Sequence, residues 1–132
     1  MNRWACSLWG KGRTDVKLRE IQELLEAELL WGEELLDEEI EAAFGSDLMS
    51  DVLAFVKEKT VLLTGLTNAH VLRTADMLDV RCVVFVRGKR PSAEMLEMAK
   101  ERDIALLATT HTLYVSCGKL YAKGIPGVNR EE

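Results

Sequence analysis

Val61-Leu62-Leu63-Thr64-Gly65-Leu66-Thr67-Asn68-Ala69-His70 is the stretch whose reading decides the fold. An apolar run stops at Thr64-Gly65, and a helical pattern follows a cap-type residue. The run from Thr60 to Thr64 lacks polar alternation, as expected of a strand covered on both faces. Thr67 or Asn68 can cap the helix, because a short side-chain oxygen accepts an orphan N–H of the first turn. Val71, Leu72, Ala75 and Leu78 then recur on one helical face. The stretch reads as strand, tight turn, helix.

Working outward, the same passage recurs downstream. Val80 to Val86 is a second strand with Arg81 as its only charge. Gly88 turns the chain, and Pro91 suits the first turn of a helix, where its missing N–H would be unpaired anyway. Met95, Leu96, Met98 and Ala99 are the apolar positions of that helix. Ile104 to Ala108 is a third strand. Thr109 or Thr110 is expected to cap a last helix with Leu113, Cys117, Leu120 and Tyr121 on one face, and Gly124-Ile125 reads as its C-cap with an apolar contact. Upstream, Asp15 is expected to cap a helix reaching about Glu26 on Leu18, Ile21, Leu24 and Leu25. Glu28 to Trp31 reads as a short strand ended by Gly32, and Ile40 to Phe44 as another. Ser46 or Asp47 is expected to cap a helix that uses Leu48, Met49, Val52, Leu53 and Val56 and ends near Lys57.

Strands alternating with helices over short loops give parallel pairing and right-handed crossovers. The expectation is one α/β domain over residues 15–125, with a small, mostly parallel sheet of four or five strands and helices packed on both faces. The chain's 132 residues suit one core. Residues 1–14 join no periodic pattern and carry cations but no acids. They are expected to form a flexible arm, or one that packs Trp4 and Trp9 on a partner. Residues 126–132 are expected to be a loose C-terminal tail.

Composition narrows the function. A content of 48% hydrophobic residues is normal for a globular protein and argues against disorder. A net charge of -5 argues against attraction to nucleic acid or an anionic membrane, so any anion site must be local. No apolar run approaches the ~20 residues of a membrane span, and no signal-peptide hydrophobic region is present. A cytoplasmic protein is therefore expected. Cys6, Cys82 and Cys117 show no CxxC spacing, and with only two histidines no metal site is expected.

Ligands of an open parallel sheet bind outside the carboxyl ends of the strands. Those ends carry Thr64, Gly65, Thr67 and Asn68 on one turn and Arg87, Gly88 and Lys89 on another, with Ser46, Asp47, His70, Thr109 and His111 as further candidates. Helix N-termini there supply free N–H groups and partial positive charge. Arg87-Gly88-Lys89-Arg90 adds three cations in four residues, which suits phosphate or carboxylate. A solvated turn offsetting nearby acids is the alternative. Asp47 and Asp51, four apart, are expected to share a helix face. The fingerprints GxGxxG, GxxxxGK[ST], GxSxG and HExxH are absent, and neither histidine has an adjacent nucleophile signature.

Val61-Leu62-Leu63-Thr64-Gly65, Val83-Val84-Phe85-Val86-Arg87-Gly88-Lys89-Arg90-Pro91-Ser92, Ile104-Ala105-Leu106-Leu107-Ala108-Thr109 and Gly45-Ser46-Asp47-Leu48-Met49-Ser50-Asp51-Val52-Leu53 together resemble the DRTGG domain family. The resemblance spans roughly residues 16 to 125. It implies an α/β fold, frequent dimerisation, and a regulatory or accessory role such as that of the N-terminal domain of HPr kinase/phosphorylase or the regulatory domain of some phosphotransacetylases. Small stand-alone members are encoded near hydrogenase subunits. It does not imply kinase activity. The sequence departs from the pattern where Val86-Arg87-Gly88 replaces a more typical Thr-Gly-Gly.

The resulting expectation is a non-catalytic domain that binds a small anionic metabolite or nucleotide at the carboxyl edge of its sheet, without a cofactor. It would act through a homodimer or a metabolic or redox enzyme partner. The alternatives are a pure interaction subunit using Trp4, Trp9 and Trp31, and an enzyme using His70 or His111.

Overall fold

The computed structural model describes residues 16–128. The expectations for the 1–14 arm, with Trp4, Trp9 and Cys6, and for Asp15 as a cap lie outside the described residues. The chain runs α1 (Leu18–Leu25), β1 (Glu28–Trp31), a short 3-10 turn (Glu33–Leu35), β2 (Ala42–Gly45), α2 (Met49–Phe55) and β3 (Thr60–Thr64). It continues α3 (Ala69–Met77), β4 (Cys82–Phe85), α4 (Ala93–Arg102), β5 (Ala105–Ala108) and α5 (Leu113–Ala122).

The five strands form one sheet in the order β1-β5-β4-β3-β2. β2, β3, β4 and β5 are parallel neighbours, and β1 pairs antiparallel with β5 at the edge. Each crossover from β2 to β5 therefore steps the same way across the sheet. Right-handed connections must then put α2, α3 and α4 on one face. The core divides accordingly. Val52, Leu62, Val71, Leu72, Val83, Phe85, Met95 and Leu106 pack together on that face. Leu18, Ile21, Leu25, Val61, Leu63, Val84, Leu107 and Leu120 form the opposite layer under α1 and α5. Successive residues of β3, β4 and β5 alternate between the two layers, and every residue of these strands is buried. Full burial of one Leu or Val contributes about 1.5–3 kcal/mol, so the strands that read as unbroken apolar runs hold the two layers together.

Several boundaries differ from expectation, each because a side chain found another partner. α2 starts after Leu48 with no side-chain cap, because Ser46 and Asp47 bond elsewhere. α4 is capped by Ser92, whose oxygen accepts the Met95 N–H, so Pro91 precedes the helix. α5 is capped by Thr112 rather than Thr109 or Thr110. Tyr121 is exposed and does not join the buried face of α5. Asn68 caps α3 through the His70 N–H, one of the two expected choices. Gly124 (φ 91°) ends α5 as read, with Gly124 N–H donating to Tyr121 O at 3.0 Å and Ile125 N–H to Leu120 O at 3.1 Å. Pro126, expected to begin a loose tail, is instead tied to the sheet edge by the Ala43 N–H at 2.9 Å.

Candidate functional site

β2, β3, β4 and β5 all end at one edge, so the loops after them meet there. β4 extends past Phe85 through the Val86 N–H, which donates to Thr64 O at 3.0 Å. Arg87 (φ 61°) and Gly88 (φ 72°) then both take left-handed backbone. The Lys89 N–H closes the turn on Val86 O at 3.1 Å. Two central residues of positive φ are the type I′ pattern.

This turn is held from one side by the β5–α5 loop. Arg87 N–H donates to His111 O at 2.8 Å, and Gly88 N–H to Thr109 O at 3.0 Å. Adjacent loops diverge here to opposite faces of the sheet, the arrangement that usually opens a crevice. The two backbone bonds close it. On the far side, the buried Thr109 hydroxyl donates to Leu25 O at 2.7 Å, and His111 Nε2 lies 3.1 Å from Glu26 Oε1. Thr109 and His111 therefore serve the junction with α1.

Arg87 reaches instead toward the β3 turn. A β-carbon added to Gly65 would collide with the Arg87 guanidinium and lie 3.1 Å from both its Cζ and Nε. Gly65 is thus the residue on which the guanidinium rests, and it has no side chain to push it away. The other side of Gly65 is occupied by a carboxylate. Asp47 Oδ1 accepts from the Gly65 N–H at 2.7 Å and from the Thr64 hydroxyl at 3.0 Å. The Thr64 oxygen in turn accepts from the Leu66 N–H at 3.1 Å. Ser46 serves its own loop, accepting from the Leu48 N–H at 2.9 Å. Asp47 and Asp51 do not share a helix face, because Asp47 lies outside α2 and faces the β3 turn.

The three cations of the basic turn separate in role. Arg90 grips the Glu28 carboxylate at 2.9 and 3.3 Å, a two-pronged contact between the β4–α4 loop and β1. That hydrogen bond, reinforced by the Arg90 charge, holds the Glu28 carboxyl below its ordinary range. The exposed Arg87 and Lys89 make no ion pair or side-chain hydrogen bond among the described residues. The structure so brings together Thr64, Gly65, Asp47, Arg87, Gly88 and Lys89, with Thr67 and Asn68 following on the β3 turn. His70 lies in the first turn of α3 with its ring exposed.

Sequence reasoning missed the role of Asp47, because a Ser-Asp pair before a helical pattern reads as a cap. It also missed a groove of about 440 Å³ between α5 and β2, lined by Ala43, Tyr114, Cys117, Gly118, Tyr121 and Ile125. Tyr114 is 87% exposed and Tyr121 48% exposed beside it. The α5 pattern gave a partial signal, since apolar residues occur on more than one of its faces. No group of three potential metal ligands converges, and no helix is long and apolar enough to cross a membrane, among the described residues.

The family model of the DRTGG domain matches residues 20–120. A search of curated proteins gives no match. Among solved structures, the chain is similar to the crystal structure of the CBS and DRTGG domains of the regulatory region of Clostridium perfringens pyrophosphatase, complexed with its activator diadenosine tetraphosphate. The TM-score is 0.64 at 19% sequence identity, covering 90% of this chain and 51% of that one. The chain thus spans about half the length of that regulatory region.

Proposed function

The chain belongs to the DRTGG domain family, and from that premise we propose that it is a non-catalytic, cytoplasmic regulatory domain whose ligand is a small phosphate-bearing anion. The anion binds at the carboxyl edge of the sheet, between the Thr64–Asn68 turn and the Arg87–Lys89 turn. One observation carries this reading: among the described residues the Arg87 guanidinium rests against Gly65 with no ion pair and Lys89 on the same turn has none, whereas the neighbouring Arg90 already has its carboxylate. Unpaired cations beside backbone donors fit an anion better than they fit a neutral ligand. The regulatory region of the Clostridium perfringens enzyme, complexed with a dinucleotide polyphosphate activator, supports the same ligand class.

Thermal unfolding with inorganic pyrophosphate, a mononucleotide and diadenosine tetraphosphate tests the proposal. At 100 times its dissociation constant a bound ligand adds about 2.7 kcal/mol. The shift should vanish in the Arg87→Ala, Lys89→Ala double variant. A wild-type protein that responds to none of the three, or a double variant that responds equally, refutes the reading.

A second reading, an interaction subunit acting through a homodimer or an enzyme partner, is favoured by the exposed Tyr114 and Tyr121 beside the α5 groove. Light scattering of Tyr114→Lys and Tyr121→Lys tests it for the homodimer. An oligomer that dissociates supports the reading; a protein that is monomeric before substitution removes it. Trp31, one of the tryptophans expected at such an interface, is half-buried on β1.

A further inference from the structure

The donors that would receive an incoming anion at the β3 turn are already engaged. The Gly65 N–H and the Thr64 hydroxyl both point to Asp47 Oδ1, at 2.7 and 3.0 Å. Asp47 is itself an exposed residue on the loop after β2. Its carboxylate is therefore bonded where a ligand's oxygen would be, on the edge that also carries the Arg87 guanidinium. It does not form an ion pair with Arg87, although both flank Gly65. A carboxylate placed this way resembles a bound anion supplied by the chain itself.

We propose that Asp47 is a displaceable internal occupant of the anion site, and that ligand binding works by exchanging its carboxylate for the ligand's oxygen at Gly65 and Thr64. The inference rests on the strand-edge site proposed above and adds how occupancy is sensed. Two features favour exchange. Asp47 is exposed although Thr64 and Gly65 are buried, so the departing carboxylate regains water while the ligand's oxygen takes over the two donors. Among the described residues only two donors hold it, whereas the ligand gains those two and the charges of Arg87 and Lys89, which no described carboxylate pairs. The exchange also has a mechanical consequence. The two Asp47 bonds tether the β2–α2 loop to the β3–α3 turn, so exchange loosens the loop beyond Ser46, whose N–H stays on Leu63 O at 3.0 Å, and with it the start of α2. Leu48, at the N-cap of α2, and Leu53 within it are 58% and 43% exposed, so the loosened element carries an apolar surface that a partner can read.

The test is pyrophosphate binding by wild type, Asp47→Asn, Asp47→Ala and Arg87→Ala, together with amide hydrogen exchange of Gly65 and Leu48. Removing a like charge a few ångströms from the bound anion should tighten binding about fivefold. Asp47→Asn keeps an acceptor of the same shape, and so serves if the alanine variant folds poorly. In wild type, pyrophosphate should shift the Gly65 amide resonance and speed exchange at Leu48, while in Asp47→Ala exchange at Leu48 should be fast from the start. If both Asp47 variants bind as wild type does or more weakly, while Arg87→Ala still weakens binding, the site stands and the exchange is wrong. If no variant binds and Arg87→Ala is indistinguishable from wild type, both are wrong.

Discussion

At the residue scale, Arg87 carries most of the argument. A left-handed backbone costs a residue with a β-carbon about 1–2 kcal/mol relative to right-handed geometry. Arg87 pays it with φ at 61°. By resemblance to the family, a glycine is the more typical occupant, and glycine would take that φ without strain. An arginine kept where glycine fits better points to a use for its side chain. Arg87→Gly should therefore leave stability unchanged or raise it by up to about 1 kcal/mol, the gain being offset in part by the freer unfolded chain. Pyrophosphate binding should fall in the same variant. Urea unfolding checks the first expectation, and a loss above about 1 kcal/mol would mean that the guanidinium holds the two turns together. Gly65 is its counterpart. Its role is to let another side chain lie flat against the backbone, and nothing in the local sequence announces that.

At the element scale, β1 is the strand whose setting was least legible. Its four residues gave a correct strand but no direction or neighbour. It pairs antiparallel with β5, with an irregularity between Leu29 and Trp31 that twists this edge. Edge strands need such devices, because a flat open edge recruits other strands. The element that permits it is Gly32, which adopts φ 107° immediately after β1. A β-carbon there would stand 2.7 Å from Ala105 Cβ and 2.8 Å from Ala105 Cα. Backbone cannot yield as a flexible side chain can. Gly32→Ala should cost at least about 2 kcal/mol, combining left-handed strain with steric displacement of β5. Chemical denaturation measures it, and a loss under about 1 kcal/mol would show that β1 can move away freely. The Glu28–Arg90 contact then fastens the same edge strand to the β4–α4 loop. Because the folded Glu28 carboxyl is held below its usual 4.5, that fastening is complete above the unfolded value and is lost as pH falls through the folded one.

At the scale of the molecule, the two layers share β3, β4 and β5 and should unfold together. Cys82 reports on this. It is fully buried in β4, and burial pushes its thiol well above the ordinary value. In a Cys6→Ser background, Cys82 should label with a thiol reagent only at the global unfolding rate, while the half-buried Cys117 labels faster. Labelling of Cys82 at the Cys117 rate would mean that the layers open separately. The sequence by itself determined the α/β class, the buried strands β3, β4 and β5, the cap at Gly124, the choice of Thr67 or Asn68 as the α3 cap, and the polar composition of the strand ends. Each of these is written in local periodicity or in the chemistry of one residue, which neighbouring chain does not alter. Only the tertiary structure decided the order β1-β5-β4-β3-β2, the seating of Arg87 on Gly65, the pairing of Arg90 with Glu28, and the capture of the Gly65 N–H by Asp47. The reason is one of distance along the chain. These contacts join residues 18 to 62 positions apart, and what places them together is the packing of whole elements, which local sequence does not encode.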